Sequence, residues 1–205
     1  MAPEDEHPAS DEDRARYSEV LKEMGTRALG AHEYLQVSPP TLATVEYAAL
    51  QLRMVLELIV MASLATNRVA VERITAALER KNVDDARKLA RNANPHYWPR
   101  AVVPTGDASL EGRSAEEVLT EDEWGRAYGK ASELLHARNP FAPPLDVAQA
   151  HEYLHDLLPL VRNLLSMHVM LMADANHMLV GQITDDEVAV ISMNREPEME
   201  PDTEV

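Results

Sequence analysis

Residues 45–66 read VEYAALQLRMVLELIVMASLAT, and the rest of the chain is organised around them. At 3.6 residues per turn the stretch makes about six turns of helix. It is apolar on nearly every side, the pattern of a helix enclosed by others. Its polar side chains are few and ordered: Glu46, Arg53 and Glu57, at i, i+7 and i+11, fall with Leu50 on one stripe. Charges inside a bundle persist when they are paired and hydrogen-bonded. The stripe therefore predicts a polar seam that a neighbouring helix satisfies. The run has the length of a membrane span, but Arg53 and Glu57, with Gln51 beside them, make insertion costly.

Upstream, residues 1–9 carry two prolines and three acids and read as a disordered acidic arm. Ser10 followed by Asp13 is a helix start. Tyr17, Val20, Leu21, Met24, Ala28, Ala31 and Leu35 continue it at helical spacing until Pro39-Pro40. Gly25 and Gly30 weaken that helix without ending it.

Downstream, Val69 to Leu78 predict a helix up to about Arg80. Asn82 then caps another, with Asp84 and Asp85 in its first turn, running to about Asn92. NPHYWPRAVVPTGDASLEGRS follows, with three prolines and two glycines. It is too long for an ordinary loop, so it is ordered by packing or functional, and Tyr97 and Trp98 are the side chains to pin it. Thr120-Glu121-Asp122-Glu123 opens a helix whose stripe is Trp124, Ala127, Tyr128, Ala131, Leu134 and Leu135. That helix ends at LLHARNPF. Asp146 opens another, expected to kink at Pro159.

The period then changes. Met178–Ile183 and Val188–Met193 are short, β-branched-rich runs separated by Thr184-Asp185-Asp186-Glu187, a hairpin signal. Val169–Met172 either adds a strand or finishes the helix. The expected fold is mainly α: one domain over residues 10–193, a bundle of five to six helices with a small C-terminal β-hairpin or meander, followed by an acidic tail over 194–205.

Composition bounds the function. The net charge of −16 argues against wrapping duplex DNA and against anionic membranes. The absence of cysteine removes disulfides and thiolate chemistry. MAPEDEHPASDED lacks the basic-then-apolar pattern of a signal peptide, so a cytoplasmic protein is expected. No Walker loop, dinucleotide fingerprint or serine elbow is present, and no cofactor is expected.

Three constellations carry possible chemistry. His151-Glu152-Tyr153-Leu154-His155 matches H-E-x-x-H, which places two imidazoles on one helix face with a glutamate base between them. No third ligand follows, so His151 and His155 are read as two surface histidines that happen to match, with a zinc-hydrolase site the lesser alternative. Arg91-Asn92-Ala93-Asn94-Pro95-His96 reads R-N-x-x-x-H in a basic neighbourhood of Arg80, Lys81, Arg87, Lys88 and Arg100. The third is the seam itself. His136, Arg138 and Asn139, at the LLHARNPF helix end, are expected to face Arg53 and Glu57. Together they form either a brace that fixes helix register or a pocket for a phosphate or nucleotide. His136 at a helix end also suits free carbonyls and the dipole. His168 and His177 lack definite metal-ligand spacing, and Met167, Met170, Met172 and Met178 read as packing filler.

The LQLRMVLELIVMASL helix joined to a later LLHARNPF end resembles a family of uncharacterised bacterial proteins, over roughly residues 45–183 and including NPHYWPR. More distantly, the R-x-x-L-E of Arg53, Leu56 and Glu57 resembles HEPN-like bundles, a group of ribonuclease toxins, phage-defence effectors and non-catalytic relatives. That resemblance implies a metal-independent ribonuclease in which Arg91 or Arg138 holds the scissile phosphate and His96 or His136 moves the protons.

The expected function is therefore a non-enzymatic interaction or regulatory protein that binds a partner protein or a small anionic ligand. A HEPN-type ribonuclease acting on RNA and a zinc hydrolase are the alternatives. A homodimer through a helix face is compatible with the pattern.

Overall fold

The computed structural model describes residues 10–63, 83–106, 109–136, 144–172, 176–184 and 187–194. Five α-helices lie among them: α1 (Asp11–Leu35), α2 (Leu42–Ala62), α3 (Val83–Ala93), α4 (Glu121–Leu135) and α5 (Val147–Ser166). The five strands are β1 (Arg100–Pro104), β2 (Leu110–Gly112), β3 (Met167–Leu171), β4 (His177–Ile183) and β5 (Val188–Asn194). No described helix is long and apolar enough to cross a membrane. The acidic arm, the helix expected over 69–80, the Asn82 cap, Arg138, Asn139 and residues 195–205 lie outside the described residues.

The helix starts follow their caps. Ser10 Oγ accepts from the Asp13 amide while the Asp13 carboxylate takes the Ser10 N–H, a reciprocal capping box. Thr41 with Thr44 and Thr120 with Glu123 repeat it at α2 and α4. The cap at Thr41 sets the start of α2 one turn before the apolar run at Val45. Gly25 and Gly30 sit inside α1, as expected, and α5 runs on through Pro159.

The β structure is larger than a hairpin. All five strands form one antiparallel sheet in the order β2-β1-β3-β4-β5. The region read as an irregular stretch supplies β1 and β2, and β1 pairs with β3 through Arg100↔Val169 and Ala101↔His168. Its prolines sit where the ladder tolerates them, Pro99 just before β1 and Pro104 at its last residue. Tyr97 is fully buried and Trp98 packs against the core, so the pinning expected of them is seen. Of the Val169–Met172 run, all but Met172 falls to strand rather than helix, within β3.

The main core joins α1, α2, α4, α5 and one face of the sheet. Its largest enclosed side chains include Trp124, Tyr17, Leu21, Leu52, Leu56 and Leu154. Along α2, Val45, Ala48, Leu52, Val55, Leu56, Ile59 and Val60 are buried. Enclosure is incomplete, however: Tyr47, Leu50 and Met61 face solvent. Gln51 is buried because its side-chain oxygen accepts from Arg27 of α1 at 3.1 Å. Val102, Val169, Leu171 and Val180 form a second, smaller apolar cluster, against which Met167 and Met178 pack.

α1 comes close to the sheet at Gly181. His168 lies opposite it in the β3–β4 register, and the imidazole lies over it. A Cβ at position 181 would stand 2.8 Å from His168 Nε2 and 2.9 Å from Leu21 Cδ1. Both atoms belong to enclosed side chains, so neither can swing away. Gly181→Ala is therefore expected to cost about 2–3 kcal/mol by overpacking. A lower urea midpoint at unchanged slope is the signature. A midpoint equal to wild type would show that the joint is looser than this.

Candidate functional site

The polar residues of α2 meet α4, through a residue not expected to close them. Arg53 Nε donates to Glu57 Oε1 at 3.0 Å, and the Tyr128 hydroxyl donates to the same oxygen at 3.1 Å. The Arg53 guanidinium also lies 5.4 Å from the centre of the Tyr128 ring. Arg53 and Glu57 keep 33% and 31% of their side-chain surface, so the pair is a half-open brace rather than buried charges. An exposed pair of this kind contributes little stability by itself.

Tyr128 stacks on Trp124 one turn earlier, with centroids 5.1 Å apart and planes 9° from parallel. Trp124 is buried and its Nε1 donates to the Leu56 carbonyl at 3.0 Å. The Arg87 guanidinium of α3 lies 5.4 Å from the centre of the indole. Arg53, Tyr128, Trp124 and Arg87 thus form a cation–ring–ring–cation stack joining three helices.

A carboxylate closes this stack at each end, Glu57 at one and Glu121 at the other. Glu121 Oε1 accepts from Arg91 Nε and Nη2 at 2.9 and 2.5 Å, stands 3.5 Å from Arg87 and also takes the Tyr97 hydroxyl. Burial, then the bond to this carboxylate, pushes the Tyr97 phenol upward. The Glu121 contact likewise holds Arg91 above its ordinary value.

The seam was expected to close on His136, Arg138 and Asn139. Arg138 and Asn139 fall outside the described residues, and His136 stands exposed as the C-cap of α4. The physical reason is length. Tyr128 precedes His136 by eight residues, about 12 Å of helix, and Tyr128 reaches the Arg53–Glu57 pair first.

The R-N-x-x-x-H run is also divided. Arg91 is engaged by Glu121, whereas His96 lies beyond the end of α3 and faces solvent. Asn94 between them is buried. Its amide donates to the Leu171 carbonyl at 2.8 Å and its oxygen accepts from the His96 N–H at 2.9 Å. The asparagine therefore anchors the turn into β1 on β3.

His151 and His155 do share a helix face, with ring centres 6.2 Å apart. His151 Nε2 lies 2.9 Å from the Leu35 carbonyl oxygen. A carbonyl only accepts, so this nitrogen carries the proton and is unavailable to a metal. Among the described residues no group of three His, Asp or Glu side chains is placed to hold a metal ion.

One titratable pair went unrecognised in the sequence. His168 of β3 is 1% exposed, with Nδ1 3.3 Å from the Leu165 carbonyl and Nε2 2.7 Å from the Tyr17 hydroxyl. The carbonyl fixes the tautomer: Nδ1–H donates to it, and Nε2 accepts from the tyrosine. Burial holds His168 down at about 4 and pushes the Tyr17 phenol up. The two residues are 151 positions apart, so no local spacing could have shown them together. Trp124 and Tyr128, by contrast, carried an i, i+4 signal.

No protein-family model matches the chain, and neither a curated protein nor a solved structure matches it.

Proposed function

We propose that this chain is a non-enzymatic interaction or regulatory protein that docks a protein partner on the face around the α1–α2 connection. The observation that carries the reading is a contrast in satisfaction. Of the polar groups that suggested chemistry, Arg53 is engaged by Glu57, Arg91 by Glu121 and His151 by the Leu35 carbonyl, which leaves His96 and His136 exposed but apart from these arginines. Apolar side chains stand open instead. Tyr34 and Tyr47 stack at 3.9 Å across the two helices, and both remain exposed together with Val37, Leu42 and Leu50. Rigid aromatics in an exposed apolar patch are the usual anchors of a protein interface.

Two measurements test this. A photo-crosslinking residue introduced as Tyr47→p-benzoylphenylalanine in the source cells is expected to give a discrete protein adduct, absent when the probe replaces exposed Arg126. Equal labelling from both positions would remove the docking face. Wild-type protein is expected to leave varied RNAs intact with and without divalent ions. Cleavage lost in Arg91→Ala or His96→Ala would replace this reading with the HEPN-type ribonuclease.

A further inference from the structure

The two edges of the sheet are unlike. β2, at one of them, is three residues long. β5, at the other, is seven, and Val188–Asn194 carry neither a charge nor a proline. Sheets ordinarily guard an open edge with a very short strand, a charge, a proline or a bulge. β5 has none of these, and its pairing with β4 runs unbroken from Ile183↔Val188 to His177↔Asn194. Among the described residues no strand lies beyond it.

Hydrogen bonding at the strand ends sets which backbone groups face outward. The Thr184 N–H donates to the Glu187 carbonyl at 2.9 Å, which makes 184 and 187 a hydrogen-bonded pair. Such pairs alternate along an antiparallel ladder. Ala189, Ile191 and Met193 therefore bond to β4, while Val188, Val190, Ser192 and Asn194 turn their N–H and C=O groups to the open side. The β3–β4 ladder gives the same parity. The Met172 N–H donates to the His177 carbonyl, so His177, Leu179 and Gly181 bond to β3 and leave Met178, Val180 and Gln182 for β5. Side chains alternate between the faces as well. Ile191 continues the row of Val169 and Val180, and Met193 that of Leu171 and Met178, on the face of the smaller apolar cluster. This apolar face reaches the edge and stops there, with Ile191 58% and Met193 44% exposed.

We propose that β5 pairs edge to edge with β5 of a second copy of this chain, antiparallel about a two-fold axis at Ile191. This register uses the whole strand. Val188 faces Asn194 of the other copy, Val190 faces Ser192, and every outward N–H meets a carbonyl. Ile191 falls opposite itself in a non-hydrogen-bonded pair, where side chains come closest. Met193 falls opposite Ala189, so the apolar face continues across the axis. A two-fold contact needs a patch that complements itself. β5 does so because it is uncharged: no like charges meet across the axis, although the chain as a whole carries −16. The chain's own continuation fits the edge less well. In the two-residue hairpin that would fold it back, Pro197 falls opposite Asn194 and Pro201 opposite Val190, and neither has the N–H that the ladder needs. The pairing uses no residue of the α1–α2 docking face, so either can fail without the other.

Analytical ultracentrifugation of the full chain is expected to show a dimer at micromolar concentration. Ser192→Pro removes an outward N–H and leaves the β4 ladder intact. Because the contact is symmetric, two hydrogen bonds go at once, and the dissociation constant is expected to rise about tenfold or more. Cysteine cross-linking reads the register, since the chain has no cysteine of its own. Ile191→Cys is expected to give a disulfide-linked dimer under mild oxidation, because the Cα spacing of such a pair, about 4.5 Å, suits the bridge. Ala189→Cys is expected not to, since position 189 of the other copy lies about 13 Å away along the strand. The cysteine pair leaves every outward N–H in place, so it decides the matter even if the proline variant fails to fold. A monomer at high micromolar concentration would return the edge to the chain's own tail or to another protein and overturn the proposal. So would a folded Ser192→Pro variant that dimerises like wild type, or equal cross-linking from positions 189 and 191.

Discussion

Trp124→Ala is expected to remove about 4 kcal/mol of stability, among the largest losses of any single substitution in this chain. The indole is buried at the meeting of α2, α3 and α4, so truncation leaves a cavity that three helices must close. Its hydrogen bond to the Leu56 carbonyl is lost in the same step. So are the stack on Tyr128, about 1 kcal/mol for a well-placed aromatic pair, and the contact with Arg87. For a chain of this size the loss corresponds to a melting temperature lower by roughly 10 °C. Urea denaturation followed by circular dichroism measures it. Trp98→Ala, at the half-buried indole, is the internal comparison and should cost clearly less. If both variants lose the same amount, the stack does not hold the helices together.

A second large effect belongs to acid. His168 is neutral in the folded chain and held at about 4, against an ordinary value of 6.5. The unfolded chain therefore binds a proton that the folded chain refuses between these values. Stability from this group is complete above about pH 6.5 and is lost as pH falls towards 4. At about 1.4 kcal/mol per unit, the 2.5-unit difference amounts to about 3 kcal/mol. The Tyr17 hydroxyl, the Leu165 carbonyl and Gly181 lie against the ring, none of them charged at these pH values.

Carboxylates also titrate in this range, so the informative quantity is a difference. His168→Gln keeps an acceptor for Tyr17 but does not titrate. It should be less stable than wild type at pH 7, and the gap should narrow steadily towards pH 4. A gap that stays constant would show that His168 is not the acid-sensitive group. Tyr17→Phe leaves Nε2 without its donor and should cost about 1–3 kcal/mol at neutral pH.

Elements whose signal is local were legible. The Ser10 and Thr120 capping boxes, the apolar spacing from Tyr17 to Leu35 and the Trp124 stripe each place a helix with its buried side inward. The paired runs of β4 and β5 likewise gave a hairpin. The sheet was underestimated because β1 and β2 lie in a proline-rich stretch without alternating pattern, and the pairing of β1 with β3 that joins them to the sheet is non-local. Arg53 and Glu57 meet α4 at Tyr128, because reach along a helix decides which side chain arrives, while Arg138 and Asn139, the partners expected for them, lie outside the described residues.

Sequence alone determined the helix starts at Ser10, Thr120 and Asp146, which stripes are apolar, and that Arg53 and Glu57 share a face, since all of these depend on residues within one or two turns. Tertiary structure alone decided that Glu121 gathers Arg87, Arg91 and Tyr97, and that His168 meets Tyr17 beneath α1. The reason is distance along the chain. These groups come from separate elements, and only the packing of α1 and α5 on the sheet and of α3 on α4 brings them within reach of one another.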